Sequence, residues 1–327
     1  MARLARSVAA VRNAVKDQVR TLPRGATVMV ACSGGPDSMA LAAACAFVAP
    51  RESVHAGLIT VDHGLQEGSA ERARALEPWA HAAGFDFVEV ATVHVDPSDG
   101  GPEAAARTQR YAAMRKAAQR RNASAVLLGH TRDDQAETVL LALARGSGPR
   151  GVSGMRWRRD LWWRPLLAVS RADTVDACEQ LRLPVWHDPH NRDPAYTRSR
   201  VRAAMPVLSE TLGPRLVGNL ARTAHLVADD NDALDLYAET LRESAGETLG
   251  KDRLAVEPLV SAHKAVRTRA LRLWAIENGA RGDDLSYAHI RAVDALVMTW
   301  HGQGATALPG GVSVARVGGV LYAQAEG

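Results

Sequence analysis

The chain has 327 residues, of which 46% are hydrophobic and 23% are charged, and it carries a formal net charge of +4. This composition is typical of a globular protein of two domains and excludes long disordered segments. The sequence has no apolar run long enough to span a membrane and no apolar core near the N-terminus, so we expect a cytoplasmic protein without a membrane partner or signal peptide.

The first half of the chain alternates strand-like and helix-like segments, which is the pattern of a parallel sheet. The predicted strands are 26–32, 54–61, 87–91 and 125–129. The helical periodicity predicts helices over 4–20, 38–48, 69–83, 103–122 and 133–144. The fold class is therefore α/β, with a doubly wound, Rossmann-like sheet in which ligands bind beyond the carboxyl ends of the strands.

The pattern changes after Arg145, where a loop rich in Gly, Arg and Trp begins. A helix is predicted to start at Ser170, with Asp173 three residues later as a variant of the capping box. From Gly213 the chain reads as mainly helical, and the LPGG segment at 308–311 predicts a short β-hairpin near the end. The predicted domains are 1–212 and 213–327.

The distribution of charge and of cysteines indicates which partners and metal sites the chain can have. Residues 145–202 contain twelve arginines and no lysine against six acidic residues, so the positive charge is local and favours an anionic partner. Cys32, Cys45 and Cys178 are odd in number and form no C-x-x-C pair, so neither a disulfide framework nor a zinc or iron–sulfur site is predicted. We expect these cysteines to be buried.

The sequence SGGPDS lies between the first predicted strand and its following helix, and it comprises Ser33, Gly34, Gly35, Pro36, Asp37 and Ser38. Its glycines permit a tight turn that exposes backbone N–H groups at a helix N-terminus, which predicts an anion-binding loop. The loop is neither a Walker A nor a G-x-G-x-x-G sequence. A carboxylate within such a loop is unfavourable for an anion unless Asp37 holds Mg²⁺. A capped strand-to-helix turn is the alternative reading.

Acidic residues follow the last predicted strand of the first half, in the block GHTRDDQAETVLLALARGSGPRGVSGM at 129–155. His130, Asp133 and Asp134 come directly after the strand, and Glu137 lies on the same helix face as the two aspartates. Acids beside a phosphate loop suit Mg²⁺ coordination, with Asp37 and Asp134 as the expected ligands, and a base for an incoming amine. Helix N-capping explains one aspartate well, but two and a glutamate poorly.

Arginines are concentrated in two segments. The stretch 103–121 has a net charge of +5, with Arg107 and Arg110 on one helix face. We expect a phosphate-contacting strip formed by Arg107, Arg110, Arg145, Arg150, Arg198 and Arg202. Arg200 lies between the last two and is a candidate for stabilising transferred phosphate. A solvated helix face and ordinary salt bridges are the alternatives.

These motifs resemble a known family. SGGPDS resembles the loop of the PP-loop ATP pyrophosphatases, and the 129–155 block resembles the signature of the tRNA(Ile)-lysidine synthetase family. Similar agreement extends to VDHGL at 61–65, EAAARTQRY at 103–111 and WHDPHNRDPAYTRSRVR at 186–202. The chain departs from the family pattern at Gln66, His190 and Ser199. The resemblance is strong over about residues 25–210.

The resemblance implies an enzyme that uses ATP and Mg²⁺ to join L-lysine to C2 of the wobble cytidine in the isoleucine tRNA with a CAU anticodon, releasing AMP and pyrophosphate. It implies nucleotide contacts from the SGGPDS loop, Asp62, His63 and His130. It implies catalytic roles for Asp37, Asp133, Asp134, Glu137 and Arg200, with Asp134 as the first candidate for the base. The region 1–212 would be catalytic and 213–327 would recognise tRNA, while the oligomeric state stays open, a homodimer included.

Two rival functions are weighed against this reading. A tRNA thiolase would use the same adenylation but commonly needs catalytic cysteines, and the chain has no C-x-x-C pair. A non-catalytic nucleotide-binding or RNA-binding module would not need the acidic cluster. Neither rival explains the whole set of motifs.

Overall fold

The computed structural model describes residues 4–62, 69–93, 102–186 and 193–325. The chain forms two compact units, Met1–Val227 and Ala228–Gly327. The division falls inside a long helix, Leu216–Gly246, that begins shortly after the domain boundary predicted near Gly213. That boundary stays a prediction.

A six-stranded sheet forms the centre of the first unit, in the order β3-β2-β1-β4-β6-β5. The strands are β1 Thr27–Ala31, β2 His55–Asp62, β3 Phe87–Thr92, β4 Ala123–Leu127, β5 Arg158–Arg159 and β6 Trp162–Trp163. All neighbouring pairs are parallel except β5 with β6. The predicted α/β class and its first four strands are confirmed. The short hairpin of β5 and β6 lies where the sequence predicted only a loop, because strands of two residues have no readable periodicity.

Helices cover both faces of this sheet. They are α1 Arg6–Val19, α2 Pro36–Val48, α3 Ser69–Ala83, α4 Pro102–Arg120, α5 Arg132–Ala144, α6 Gly148–Val152, α7 Arg171–Gln180 and α8 Thr197–Leu212, with a 3₁₀ turn at Ala49–Glu52. Alternate strand residues point to opposite faces. Val28 and Leu58 therefore pack in one core with α1, α2 and α7, whereas Met29 and Ile59 pack in a second core with Met114 of α4. This two-sided burial leaves the strand ends as the place for a site.

The second unit combines helices with a small antiparallel sheet, in the order β7-β10-β9-β8. Its elements are α9 Leu216–Gly246, which begins in the first unit, β7 Arg253–Ala255, α10 Val256–Ser261, α11 Lys264–Glu277, α12 Tyr287–Met298, β8 Thr306–Leu308, β9 Val312–Val317 and β10 Val320–Ala325. The predicted turn at 308–311 joins β8 to β9. Strand β7 lies in a segment that the sequence predicted to be mainly helical, and it pairs with β10. None of the helices within the described ranges is long and apolar enough to cross a membrane.

Candidate active site

The SGGPDS loop connects β1 to α2 and is held in shape by its own hydroxyls. Gly34 has φ +82°, a conformation that residues with a Cβ rarely adopt. Ser38 Oγ accepts from Ser33 N at 3.2 Å and donates to Gly35 O at 2.9 Å. Gly35 is the N-cap of α2, and no side chain of the described residues caps this helix. The N-terminus of α2 is thus open to an anion.

A cavity of about 300 Å³ opens at the carboxyl ends of β1, β2 and β4. Its apolar walls include Ile59, Val61, Met114 and Leu128, and its polar lining includes Ser33, Gly35, Asp37, Ser38, Arg110, Tyr111, His130, Asp134 and Arg202. Apolar walls suit a flat base, and the α2 N-terminus suits phosphate. Gly129 is required here, because a Cβ at this position would lie 3.1 Å from the backbone of Asp37 and Ser38.

Two acids of α5 are buried behind this cavity. Thr131 and Asp134 form a capping box, in which Asp134 Oδ2 accepts from Thr131 N at 2.8 Å. Capping therefore uses only one oxygen of Asp134. Glu137, one turn later, is 1% exposed, and its carboxylate has no capping role.

Three arginines hold these two carboxylates. Glu137 pairs with Arg171 at 3.0 Å, Arg198 at 3.1 Å and Arg202 at 2.9 Å. Asp134 Oδ1 lies 2.8, 3.5 and 3.3 Å from the same three side chains. Burial acts to raise the pKa of Asp134, but Arg171, the Thr131 amide and Arg198 outweigh it, so this pKa lies below its usual value. Asp134 is ionised at neutral pH.

Asp37 is less well neutralised than its neighbours. Thr174 Oγ1 donates to Asp37 Oδ1, and the Nε of Arg171 is 3.6 Å from Oδ2. Burial, with a smaller effect from the charge of Asp134, raises the pKa of Asp37 to about 6 against the opposing effects of Thr174, Arg171 and Arg202. No three His, Cys, Asp or Glu side chains of the described residues group as a metal cluster. Mg²⁺ at a phosphate site takes one or two carboxylates plus phosphate and water. Asp37 keeps Oδ2 without a close hydrogen bond to Arg171, whereas both oxygens of Asp134 already have partners, so the predicted pair of ligands stays a prediction.

Asp133 faces a second cavity of about 280 Å³. Its Oδ2 accepts from the backbone N of Arg171 at 2.8 Å and so holds the start of α7. The cavity is lined by Asp133, Glu137, Arg171, Arg202, Met205, Pro206, Ser209 and Val217. It combines both signs of charge with an apolar wall.

Two of the residues predicted to contact the nucleotide outside the loop, Asp62 and His130, lie at the ends of β2 and β4. His130 follows β4, and its buried Nδ1 has no hydrogen-bond partner in the part of the chain that the structure describes. Burial lowers the pKa of His130 to about 3, so its imidazole is neutral and free to bind a ligand group. Asp62 is buried at the end of β2, and His63 lies outside the described residues.

The six arginines expected to form a phosphate-binding strip occupy different surroundings. Arg107 is exposed and donates to the Tyr111 hydroxyl at 3.3 Å, and Arg110 lines the cavity. Arg145 and Arg150 are exposed at the end of α5 and in α6. Arg198 and Arg202 instead belong to the three-arginine cluster described above. Arg198 and Arg202 would therefore have to leave their ion pairs before either could contact a polynucleotide.

Arg200 lies apart from the acids. It donates to the carbonyl oxygens of Pro194 at 2.7 Å and Ala195 at 2.9 Å and to Thr197 Oγ1 at 3.0 Å. These bonds hold the start of α8, where i, i+2 spacing turns Arg200 away from the face that carries Arg198 and Arg202. The structure does not bring Arg200 to the cluster.

Arg171 is the residue that the sequence did not indicate. It contacts all four predicted acids: Asp37, Asp134 and Glu137 through its guanidinium and Asp133 through its backbone N–H. The available signal was weak, because Ser170 and Asp173 marked the start of a helix but not what that helix would face. The contacts join residues 34 to 134 positions apart.

Two family models match this chain. A family model described as a PP-loop domain matches residues 6–208, and one described as the TilS substrate binding domain matches 254–322. The tRNA(Ile)-lysidine synthase of Salinispora arenicola (strain CNS-205) is 56% identical over 326 residues, covering 98% of this chain and 97% of that protein. The tRNA(Ile)-lysidine synthase of Thermobifida fusca (strain YX) is 51% identical over 320 residues, covering 98% of both.

A solved structure, the U34-tRNA thiolase NcsA from Methanococcus maripaludis with its 4Fe-4S cluster, has a TM-score of 0.55 and 16% identity. It covers 68% of this chain and 80% of its own, and at this identity the likeness concerns the fold. The near full-length relatives are tRNA(Ile)-lysidine synthases, so the thiolase alternative is not favoured. By its matched domains and its near full-length relatives, this chain belongs to the tRNA(Ile)-lysidine synthase family.

Proposed function

We propose that this chain ligates L-lysine to C2 of the wobble cytidine in the isoleucine tRNA with a CAU anticodon, consuming ATP. The family is one of ATP-dependent ligases that modify tRNA, and the PP-loop domain binds ATP. The observation that carries the proposal is one cavity lined both by the phosphate loop and by Asp134 and Arg202 of the charged cluster. A nucleotide-binding module would not need buried acids beside its phosphates.

In the first half-reaction, the cytidine C2 oxygen attacks the α-phosphorus of ATP and pyrophosphate leaves. The adenine is assigned to the apolar walls of the larger cavity, and the phosphates to the N-terminus of α2. Asp37 and Asp134 would hold Mg²⁺, which would neutralise phosphate charge when bound. Arg202, which lines the same cavity, offers a fixed positive charge for the developing oxyanion.

In the second half-reaction, the lysine ε-amine attacks C2 and displaces AMP. The second cavity suits this amino acid, since Asp133 matches an ammonium, Arg202 matches a carboxylate, and Met205 with Val217 match the aliphatic chain. Glu137 lines the same cavity, but its carboxylate is already paired with three arginines. An amine with a pKa of about 10.4 must lose a proton at a cost of about 4–5 kcal/mol at pH 7. The lowered pKa of Asp134 makes it a weak proton acceptor, so we assign it to holding charge. The amine proton is assigned to Asp133, which lines the cavity proposed for lysine.

The region 213–327 is assigned to tRNA recognition, which the substrate binding domain matched at 254–322 supports. Isoleucine and methionine tRNAs can share the CAU anticodon, so the reacting cytidine does not distinguish them. A cytoplasmic location follows from a tRNA substrate. The homodimer stays a prediction, which light scattering of the purified protein tests.

The direct test supplies purified protein with ATP labelled at the α-phosphate, labelled lysine and the CAU isoleucine tRNA. We expect AMP, pyrophosphate and lysine-bearing tRNA in equal amounts, because the phosphate loop has no Walker A lysine to manage transfer of the γ-phosphate. Methionine tRNA is the control and should remain unmodified. ADP and phosphate as stoichiometric products would contradict the proposal.

Arg107→Ala should weaken binding of both tRNAs by a similar factor. Arg107 is exposed, has no carboxylate partner among the described residues, and contacts the Tyr111 ring and hydroxyl. A phosphate contact positions the polynucleotide without reading its sequence, and each contact steepens the salt dependence of binding. Filter binding over a salt series should show a log–log slope smaller by about 1. An unchanged slope would show that Arg107 meets no phosphate.

A further inference from the structure

The first turn of α7 has no part in the roles assigned so far, yet it contacts the acids of both half-reactions. The guanidinium of Arg171 donates a hydrogen bond to Asp134 of α5. Thr174, three residues later in α7, donates a hydrogen bond to Asp37 of the phosphate loop. The sulfhydryl of Cys178 adds a bond to Pro36 O at 3.2 Å, so the same helix is attached to the start of α2. Helix α7 is thereby fixed against the loop.

Thr174 is fully buried, so its hydroxyl must use partners from the protein. Two acceptors are within reach, the Arg171 carbonyl oxygen at 2.8 Å and Asp37 Oδ1. A hydroxyl has one proton, and an ionised carboxylate is the stronger acceptor. The proton therefore goes to Asp37 when that carboxylate is charged.

We infer that Thr174 is a positioning residue, which fixes the rotamer of Asp37 so that its second oxygen faces the ATP cavity. The inference rests on the proposed function. Oδ1 is occupied by the hydroxyl of Thr174, and Oδ2 faces Arg171 only at 3.6 Å, so Oδ2 is the oxygen left for a ligand. Without the hydroxyl, the Asp37 side chain gains rotamer freedom in a cavity that is open to solvent.

The test compares Thr174→Val, which keeps the side-chain shape and removes the hydroxyl, with Thr174→Ser, which keeps the hydroxyl and removes the methyl. In tRNA-dependent exchange of labelled pyrophosphate into ATP, kcat should fall by about tenfold to a hundredfold in Thr174→Val. The KM for tRNA should change less than about twofold, and Thr174→Ser should stay within about threefold of the parent. Thr240→Val is the matched control, since Thr240 makes the same kind of hydroxyl bond, to Leu236 O at 3.0 Å, on an exposed helix face.

Stability measurements separate positioning from packing. A purely structural threonine would make Thr174→Ser at least as impaired as Thr174→Val, because the lost methyl leaves a cavity in a fully buried position. Urea denaturation should show comparable losses of stability in the two variants, because Thr174→Val leaves buried acceptors without a donor and Thr174→Ser leaves a small cavity. Only Thr174→Val should be strongly impaired in exchange. Full exchange by Thr174→Val, or activity that simply follows stability, would overturn the inference. A parent protein that produces no AMP would instead contradict the proposed function.

Discussion

Glu137→Ala is expected to destabilise the protein by about 3–5 kcal/mol and to abolish both half-reactions. Glu137 is 1% exposed and pairs with Arg171, Arg198 and Arg202 at 2.9–3.1 Å. Its removal leaves three guanidinium groups facing one another with only Asp134 and Asp37 to neutralise them. Such repulsion in a partly buried cluster costs far more than the loss of one exposed ion pair. Urea denaturation monitored by tryptophan fluorescence measures the free energy of unfolding.

The control for this result is Glu243→Ala. Glu243 pairs with Arg242 at 3.2 Å, but its side chain is 70% exposed, so the expected loss is below about 1 kcal/mol. Glu137→Gln should fall between the two, because the amide keeps the shape and one acceptor but not the charge. A loss for Glu137→Ala no larger than for Glu243→Ala would contradict the view that Glu137 holds the cluster together.

Asp37→Asn is expected to have opposite effects on chemistry and stability. The exchange of pyrophosphate into ATP should fall by about a hundredfold or more, since a neutral amide cannot replace a carboxylate at a phosphate and Mg²⁺ site. The free energy of unfolding at pH 7 to 8 should rise by about 1–3 kcal/mol, because a buried charge with a raised pKa is removed while the oxygen that accepts from Thr174 is kept.

The stability gained by Asp37→Asn should depend on pH. The pKa of Asp37 is raised to about 6 in the folded protein, above its value in the unfolded chain. The folded state therefore binds this proton more tightly, and the stability that protonation contributes is complete below about pH 4 and lost as pH rises through 6. The advantage of Asp37→Asn should thus vanish at low pH. An advantage that grows on acidification, or near-normal exchange in Asp37→Asn, would contradict the proposed role.

Local sequence patterns were sufficient for the framework of the first unit. Period-two and helical patterns predicted the first four strands and the five helices around them, and the glycine-rich loop predicted an anion-binding turn at the start of α2. The LPGG segment predicted the turn between β8 and β9. These features depend on backbone conformation and on burial within one element, which neighbouring residues determine.

Only the tertiary structure decided which charges meet. Arg198 and Arg202 looked like free phosphate-binding residues, but they pair with Glu137 because α8 packs on α5. Arg171 and Thr174 carried no recognisable motif, and they reach the acids because α7 lies beside α2 and the start of α5. The strands β5 and β6 formed because Trp162 and Trp163 are buried against the sheet edge at β4. Such pairings depend on long-range packing, since residues far apart in the chain become neighbours only when the helices dock, and no local periodicity records which partner each charge will meet.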